Sequence, residues 1–308
     1  MIKYFIKRLI QLIPVILGVT LLIFLIMQMA SGDPARLILG ELATQEQVNE
    51  LREKMGLNDS VMVQYGRYLW NCLHGDFGTS YVKSRSVTSE VLSRFPNTMS
   101  LAVISLILTV ILSVPLGIWA AVRQNQPLDS GIMVFSLIGI SMPVFWLGLL
   151  LMIVFSLHFR LLPSSYDGTL ASYILPAACL VFPNMSTVTR TTRSTMLETI
   201  RQDYVRTAKA KGCSNRVAIY KHAFSNTLIP TITVVGIQMG QLMGGSVLVE
   251  QIFGWPGLGR LMIESINHRD TPMVLGCVIL LTIACSVLNL IVDLCYALVD
   301  PRIRSQYS

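Results

Sequence analysis

The chain has 308 residues, of which 53% are hydrophobic and 13% are charged, and its mean hydropathy is +0.60. A soluble domain carries about 25% charged residues, so the composition excludes an ordinary soluble protein and indicates an integral membrane protein. The net charge of +7 does not favour nucleic-acid binding, because excess Lys and Arg in a membrane protein more often marks cytoplasmic loops.

Six segments are apolar and long enough to cross a bilayer, which takes about 20 residues. They lie at residues 9–30, 99–122, 132–157, 170–189, 228–249 and 274–298. The first reads as an uncleaved anchor, since its apolar run exceeds the roughly 7–15 residues of a cleaved signal. The fourth contains Pro176 and Pro183 and is expected to be kinked. We therefore predict an all-α integral membrane fold with six transmembrane helices.

The distribution of basic residues predicts that both termini are cytoplasmic. With the amino terminus inside, cytoplasmic segments hold 14 of the 24 Lys and Arg, whereas the two short external loops hold three. The predicted parts are an N-terminal anchor helix, an external folded loop, a transmembrane core with one large internal loop, and a cytoplasmic tail. Their ranges are 1–30, 31–98, 99–298 with the internal loop at 190–227, and 299–308.

The external segment 31–98 is too long for a simple connection and carries helix signals. Thr44 and Gln47 form a capping-box pair, and Gly56 supplies a stop. A second amphipathic run follows at residues 61–72. The segment is either a cap on the membrane surface or a docking surface for a soluble partner, and the two are compatible.

The internal loop contains the stretch "DYVRTAKAKG", which predicts a short exposed helix. Asp203 favours its start, Lys209 and Lys211 favour its end, and Gly212 stands where a left-handed residue would terminate it. Ser214 can cap a second helix.

In this second helix, Val217, Tyr220 and Phe224 share a face, and Asn226 and Pro230 are expected to end it before the fifth span. The pattern predicts a cytoplasmic helical hairpin. The alternative is a positively charged loop that binds anionic lipid, which would not need two short helices separated by a glycine.

"DYVRTAKAKG" followed by "HAFSNTLIP" resembles the EAA loop of ABC importer permeases, with Arg206-Thr207-Ala208 in place of Glu-Ala-Ala. The variant is similar to the first, B-type permease of the dipeptide, oligopeptide and nickel subfamily. Further agreement lies in "GDPAR" (32–36), "GDFGTS" (75–80), "SVPLGIWAA" (113–121), "VEQIFGWPGLGR" (249–260) and "NLIVDLCYALVDPRIR" (289–304). Each motif alone is a weak match, but in this order and on six spans together they are specific for this subfamily.

The resemblance implies a type I importer permease that couples to a cytoplasmic ATPase through residues 203–225. The coupling residues would be Asp203, Tyr204, Arg206, Thr207, Ala208, Lys209, Lys211, Gly212, Ser214, His222 and Asn226. The implied partners are a second homologous permease, two ATPase subunits, an extracytoplasmic solute-binding protein and membrane lipid. The implied location is the bacterial inner membrane.

The sequence shows no catalytic or nucleotide-binding motif. It contains no Gly-Lys dipeptide and hence no phosphate loop, so ATP and Mg²⁺ would be bound by partner subunits and no cofactor or metal by this chain. The rival classes are a membrane enzyme, which would need convergent catalytic groups within the spans, and an ATP-independent channel or secondary transporter, which would not need the hairpin.

Polar residues within spans are candidates for a translocation path; the alternative is hydrogen bonding between helices. They are Asn184, Gln238, Gln241, Ser246, Asn289 and Asp293. Gly236, Gly240 and Gly244 form a ridge of small residues suited to close helix packing. An external turn at 253–260 resembles the family's loop near the gate. The gate residues would be Glu250, Trp255, Pro256, Gly257 and Arg260.

The substrate is open at this stage, because a separate binding protein confers much of the selectivity in this family. Short peptides are the first expectation. Nickel or a metal–chelator complex and glutathione-like compounds are the alternatives.

Overall fold

The computed structural model describes residues 2–29, 33–40 and 42–299, with side chains described for 10–29, 33–40 and 42–292. Within these ranges every regular element is helical, apart from one isolated bridge between Thr79 and Ser86. The predicted all-α fold is confirmed.

The helices follow one another in this order. They are α1 (Ile2–Met29), α2 (Pro34–Leu39), α3 (Gln45–Met55), α4 (Val61–Leu73), α5 (Val87–Val122), α6 (Pro127–Ser141), α7 (Val144–Leu151) with a π-helical continuation (Met152–His158), a 3-10 turn (Leu170–Tyr173), α8 (Ile174–Ile200), α9 (Asp203–Ala210), α10 (Asn215–Val217) with a π-helical continuation (Ala218–Ala223), α11 (Phe224–Ile252), α12 (Leu258–Asn267) and α13 (Thr271–Val299).

Five helical segments of the described chain are long and apolar enough to cross a membrane: Ile10–Met29, Val87–Val122, Leu170–Ile200, Asn215–Ile252 and Thr271–Val292. A bent pair, Pro127–Ser141 with Val144–His158, makes six if it counts as one span. The predicted third span at 132–157 falls on this pair, which is not one continuous helix, because its two helices are bent by 105°. Pro143 disfavours helical backbone at the preceding residue, and Met142 is extended, with φ −86° and ψ 120°.

The prolines of the fourth and fifth spans lie inside continuous helices. Pro183 lies within α8 and Pro230 within α11. A proline frees a carbonyl in the preceding turn, and side-chain donors make such helices tolerable. Beside Pro183, the Asn184 amide donates to the Leu180 carbonyl at 2.6 Å. The expectation that Asn226 and Pro230 end the second hairpin helix is therefore wrong, since the helix continues to Ile252.

The chain folds into two compact units, the first consisting mainly of residues 99–255 and the second of residues 5–98 and 256–286. The core of the first unit is built by α5, α7, α8 and α11. Its buried members include Leu101, Leu147, Leu180, Leu242 and Phe253. Helices α6 and α8 approach closely at Gly139, because a Cβ there would clash with Ser186 Oγ and lie 3.1 Å from the Phe182 carbonyl oxygen. A side chain at this position would therefore force its neighbours to shift.

The second unit contains the predicted helix signals. Thr44 Oγ1 accepts a hydrogen bond from the Gln47 backbone amide at 3.4 Å, and Gln47 Oε1 accepts one from the Thr44 backbone amide at 3.0 Å. The capping box is therefore confirmed. Gly56 ends α3 with φ +65°. Helix α4 is tied to α1, because Tyr65 Oη donates to the Leu17 carbonyl at 2.9 Å. The segment is therefore folded onto the first helix.

Candidate coupling surface and translocation path

Helix α9 presents a polar face and buries a narrow apolar one. Val205 and Ala208 are buried, as expected from a spacing of three on a helix. The remaining predicted coupling residues of α9 and its C-terminal turn are exposed: Asp203, Tyr204, Arg206, Thr207, Lys209, Lys211 and Gly212. Asp203 and Arg206 lie 3.9 Å apart and are both open to solvent, so this pair contributes little to stability.

Gly212 terminates the helix in the left-handed region, as predicted, with φ +87°. The Gly212 amide bonds the Lys209 carbonyl at 3.0 Å, and the Cys213 amide bonds the Ala208 carbonyl at 3.2 Å. A Cβ at Gly212 would meet nothing within 4 Å. The requirement for glycine is therefore set by the backbone alone, and not by packing.

The second helix begins at the predicted cap and then differs from the prediction. Ser214 Oγ accepts from the Val217 amide at 3.4 Å. The buried face consists of Ala218, Ile219 and Ala223, and not of Val217 and Tyr220, which are 42% and 51% exposed. The π-helical turn at Ala218–Ala223 shifts the register of the side chains, so the apolar residues grouped by a regular helical period are not the ones that are buried.

A small apolar cluster anchors the hairpin to the membrane helices. Val205 of α9 and the buried face of the second helix pack with residues from the ends of α5 and α8. The members are Ile118, Ala121, Met196, Val205, Ala218, Ile219 and Ala223. Val205 of α9 is therefore packed with residues of three candidate spans.

Tyr204 and Asn226 connect α9 to α11 on the exposed side. Partial burial raises the pKa of Tyr204, and its side-chain hydrogen bond with Asn226 opposes that effect. Asn226 also donates to the His222 carbonyl at 3.1 Å, and His222 itself is half-buried. The structure thus brings these three predicted coupling residues together.

An ion pair of α6 and α8 was missed by the sequence reasoning. Asp129 is buried and accepts two bonds from the Arg193 guanidinium. The available signal was that Asp129 is the one acidic residue in the segment 123–131.

Three of the predicted path residues are buried and two are exposed. Asn184 and Ser246 donate to carbonyls of their own helices, Leu180 at 2.6 Å and Met243 at 2.8 Å. Gln238 is buried, and its Oε1 has no hydrogen-bond partner among the described atoms. Gln241 and Asn289 are exposed. The side chain of Asp293 lies outside the described residues.

A polar groove along α8 was also missed. It has a volume of about 450 Å³ and is lined by Thr187, Arg190, Thr191, Ser194 and Thr195, with Ile140 of α6. The signal was present in "TVTRTTRST", where hydroxyl side chains recur at spacings of three and four. Hydroxyl groups and one guanidinium together offer donors and acceptors to a polar solute.

The glycine ridge of α11 is open in part. Gly236 is buried, whereas a Cβ at Gly240 or Gly244 would meet nothing within 4 Å. The latter two glycines therefore do not serve packing among the described residues of this chain. They leave a smooth helix face that a neighbouring helix could approach closely.

The predicted gate residues do not form one loop. Glu250 lies in the last turn of α11 and Arg260 in the first turn of α12, so the expectation of an external turn over 253–260 is only partly correct. Trp255 is fully buried, with ring centroids 4.7 Å from Tyr166 and 4.4 Å from Tyr173. Pro256 accepts from Asn97 at 2.9 Å, and Gly257 is buried. This turn is a packed element.

Comparison with known proteins places the chain among transport components. Residues 113–305 match the family model described as "Binding-protein-dependent transport system inner membrane component". Residues 1–102 match the model of the N-terminal part of such membrane components. Together the two models cover nearly the whole chain.

Individual relatives are similar over their full lengths. The oligopeptide transport system permease protein AppB of Bacillus subtilis (strain 168) is 41% identical, over 99% of this chain and 100% of that protein. The glutathione transport system permease protein GsiC of Salmonella paratyphi A is 42% identical over 99% of each. An inward-facing structure of the MetNI methionine ABC transporter has a similar fold, with a TM-score of 0.57 and 16% identity, over 68% of this chain and 96% of that one.

Proposed function

This chain belongs to the inner membrane components of binding-protein-dependent transport systems, and we propose that it couples transport to ATPase subunits through α9. It is a multi-pass permease subunit of an ABC importer. The observation that carries the proposal is the arrangement of α9, whose polar face is free while its apolar face is packed against three candidate spans. The ATP and Mg²⁺ would be bound by the ATPase subunits.

The proposed assembly contains two permeases, two ATPase subunits and an external solute-binding protein. The open glycine face of α11 supports a second, homologous permease, because a Cβ at Gly240 or Gly244 would meet no other described residue within 4 Å. The two permeases would enclose the path between them. The exposed Gln241 and Asn289 and the groove along α8 are then the candidates for its lining.

We propose short peptides as the substrate class. The relatives named above are oligopeptide and glutathione permeases, and both ligands carry amides and a free carboxylate. Arg190 and the hydroxyl groups beside it could receive these groups, since a guanidinium forms strong charge-assisted bonds to carboxylates. Nickel or a metal–chelator complex is the alternative. Uptake of a tripeptide and of nickel into vesicles carrying the whole complex distinguishes them.

The coupling role is tested by reversing charge on the free face of α9. Arg206→Glu with Lys209→Glu should abolish co-purification of the ATPase subunits, because both side chains are exposed and neither supports the fold. The matched control is Lys83→Glu with Arg85→Glu, two exposed cations outside the hairpin, which should leave co-purification intact. Equal loss in both variants, or in neither, would contradict the proposal.

A further inference from the structure

A second cytoplasm-facing feature accompanies the hairpin in the predicted topology, and α9 takes no part in it. A groove of about 470 Å³ lies between the C-terminal end of α5 and the beginning of the helical segment that starts at Asn215. Its lining includes two arginines, Arg123 after the end of α5 and Arg216 of α10, and two aromatic residues, Trp119 and Tyr220.

The described side chains do not balance the charge of this groove. Arg123 and Arg216 are both exposed, and among the described residues neither takes part in an ion pair. The nearest acid along the chain from Arg123 is Asp129, which is already occupied by Arg193. Two uncompensated guanidinium groups in one groove favour an anion, above all one with several acceptor oxygens.

The remaining lining indicates that this anion is amphiphilic. Val122, Leu128 and Ile219 supply apolar surface next to the arginines. Trp119 is 52% exposed, and Trp and Tyr are enriched where a helix passes from hydrocarbon to water. The groove lies where candidate spans end or begin, at Val122, Pro127 and Asn215. It therefore lies at the ends of candidate spans, the region in which a span leaves the hydrocarbon and meets lipid headgroups.

We propose that this groove binds the headgroup of an anionic phospholipid, with its phosphate between Arg123 and Arg216 and its acyl chains along the apolar lining. Basic sites between transmembrane helices bind such headgroups in other membrane proteins. The proposal rests on the membrane location of the chain and not on the coupling role of α9. It assigns the two halves of the basic region different partners: α9 to protein, and the groove behind it to lipid.

The test measures lipid retention by the full-length chain, purified with its co-purifying subunits in detergent doped with phosphatidylglycerol or phosphatidylcholine. The wild type should retain phosphatidylglycerol in preference. Arg123→Gln with Arg216→Gln should weaken that retention about 30-fold. Each basic residue strengthens the binding of an anionic lipid about fivefold, and the two factors multiply. The matched control, Arg206→Gln with Lys209→Gln on α9, should retain the lipid as the wild type does.

Three outcomes would overturn the proposal. The first is unchanged phosphatidylglycerol retention in the groove variant. The second is loss of the ATPase subunits from the groove variant with lipid retention unchanged, which would make the groove a protein docking surface. The third is full displacement of the lipid by inorganic phosphate, which would make it a site for free anions. Loss of ATPase subunits only from the α9 variant supports the division between the two surfaces.

Discussion

Arg193 and Asp129 form a two-pronged ion pair that joins α8 to the first turn of α6. Arg193 Nε lies 2.5 Å from Oδ1 and Nη2 lies 2.7 Å from Oδ2. The Asn125 amide adds a third bond to the carboxylate at 2.9 Å. The Asp129 side chain is 4% exposed and that of Arg193 is 23% exposed. Because the pair is shielded from solvent, breaking it should cost more stability than breaking a surface ion pair.

We expect Asp129→Asn to destabilise the chain, because it leaves the guanidinium of Arg193 without its carboxylate. Breaking a fully buried pair costs about 3–5 kcal/mol, and the partial exposure of Arg193 reduces the expected cost to roughly 2 kcal/mol. The measurement is the thermal unfolding midpoint of the purified complex. The control is Asp203→Asn, which removes an exposed partner and should leave the midpoint unchanged. A midpoint for Asp129→Asn equal to wild type would contradict a structural role for the pair.

Local backbone chemistry was the most predictable part of this chain. The capping box at Thr44, the helix ends at Gly56 and Gly212, and the cap at Ser214 depend on residues within one turn of each other, and all are observed. Features that depend on packing were not predicted. The sequence spacing grouped Val217 with Tyr220 and Phe224, but the π-helical turn at Ala218–Ala223 alters the period and a different set of residues is buried.

Long-range relationships were out of reach for a related reason. Asp129 and Arg193 are 64 positions apart, and no periodicity connects them. The bend at Pro143 was hidden because hydropathy measures length and composition and not direction. The polar groove on α8 was present in the sequence as hydroxyl residues at helical spacing, but most of its lining lies beyond residue 189, where the predicted fourth span ends.

Gly212→Val should uncouple the complex without unfolding it. A β-branched residue at φ +87° is strained by about 1 kcal/mol or more, and the empty space around Gly212 excludes a steric clash as the cause. Asn tolerates this conformation better, so Gly212→Asn should keep more activity. The readouts are ATPase co-purification and vesicle transport per permease. Gly131→Val, in open space with ordinary backbone, is the control. If Gly212→Val co-purifies with the ATPase subunits and transports as the wild type does, coupling does not depend on the left-handed backbone at Gly212.

Cysteine labelling tests the predicted topology. Cys72 lies at the end of α4 and Cys213 follows α9, and both are half-buried. An impermeant maleimide should label Cys72 in sealed cells and should reach Cys213 only after permeabilisation. Burial raises the pKa of Cys72, so its thiolate is scarce at neutral pH, and its labelling rate should rise roughly tenfold per pH unit below that pKa. Labelling of Cys213 in sealed cells would contradict the predicted cytoplasmic location of the hairpin.

Arg190→Gln should impair peptide transport while leaving the complex assembled. The side chain is exposed in the α8 groove, so its loss should not destabilise the fold. A charge-assisted hydrogen bond is worth about 1.5–3 kcal/mol, which corresponds to a loss of tenfold or more in transport efficiency. An amidated peptide, which lacks the carboxylate, should be affected much less. Equal losses for both peptides would exclude carboxylate recognition by Arg190.

The last prediction concerns α4, in the segment predicted to be external, where Trp70 and Leu73 are 63% and 81% exposed. On another side of α4, Tyr65 packs with Phe24 and Leu275, so the helix is fixed while the side chains of Trp70 and Leu73 remain in solvent. Exposed aromatic residues on a fixed element are characteristic of binding hot spots. We therefore expect Trp70 and Leu73 to contact the solute-binding protein.

Trp70→Ala with Leu73→Ser should weaken stimulation of ATP hydrolysis by the binding protein, with an apparent affinity lower by about tenfold or more. Basal hydrolysis and ATPase co-purification should persist, because α4 stays anchored through Tyr65. Leu161→Ala, an exposed leucine in a different predicted external loop, is the matched control and should behave as wild type. If the double variant is stimulated with unchanged affinity, α4 is a cap on the membrane surface, and the binding protein contacts another part of the complex.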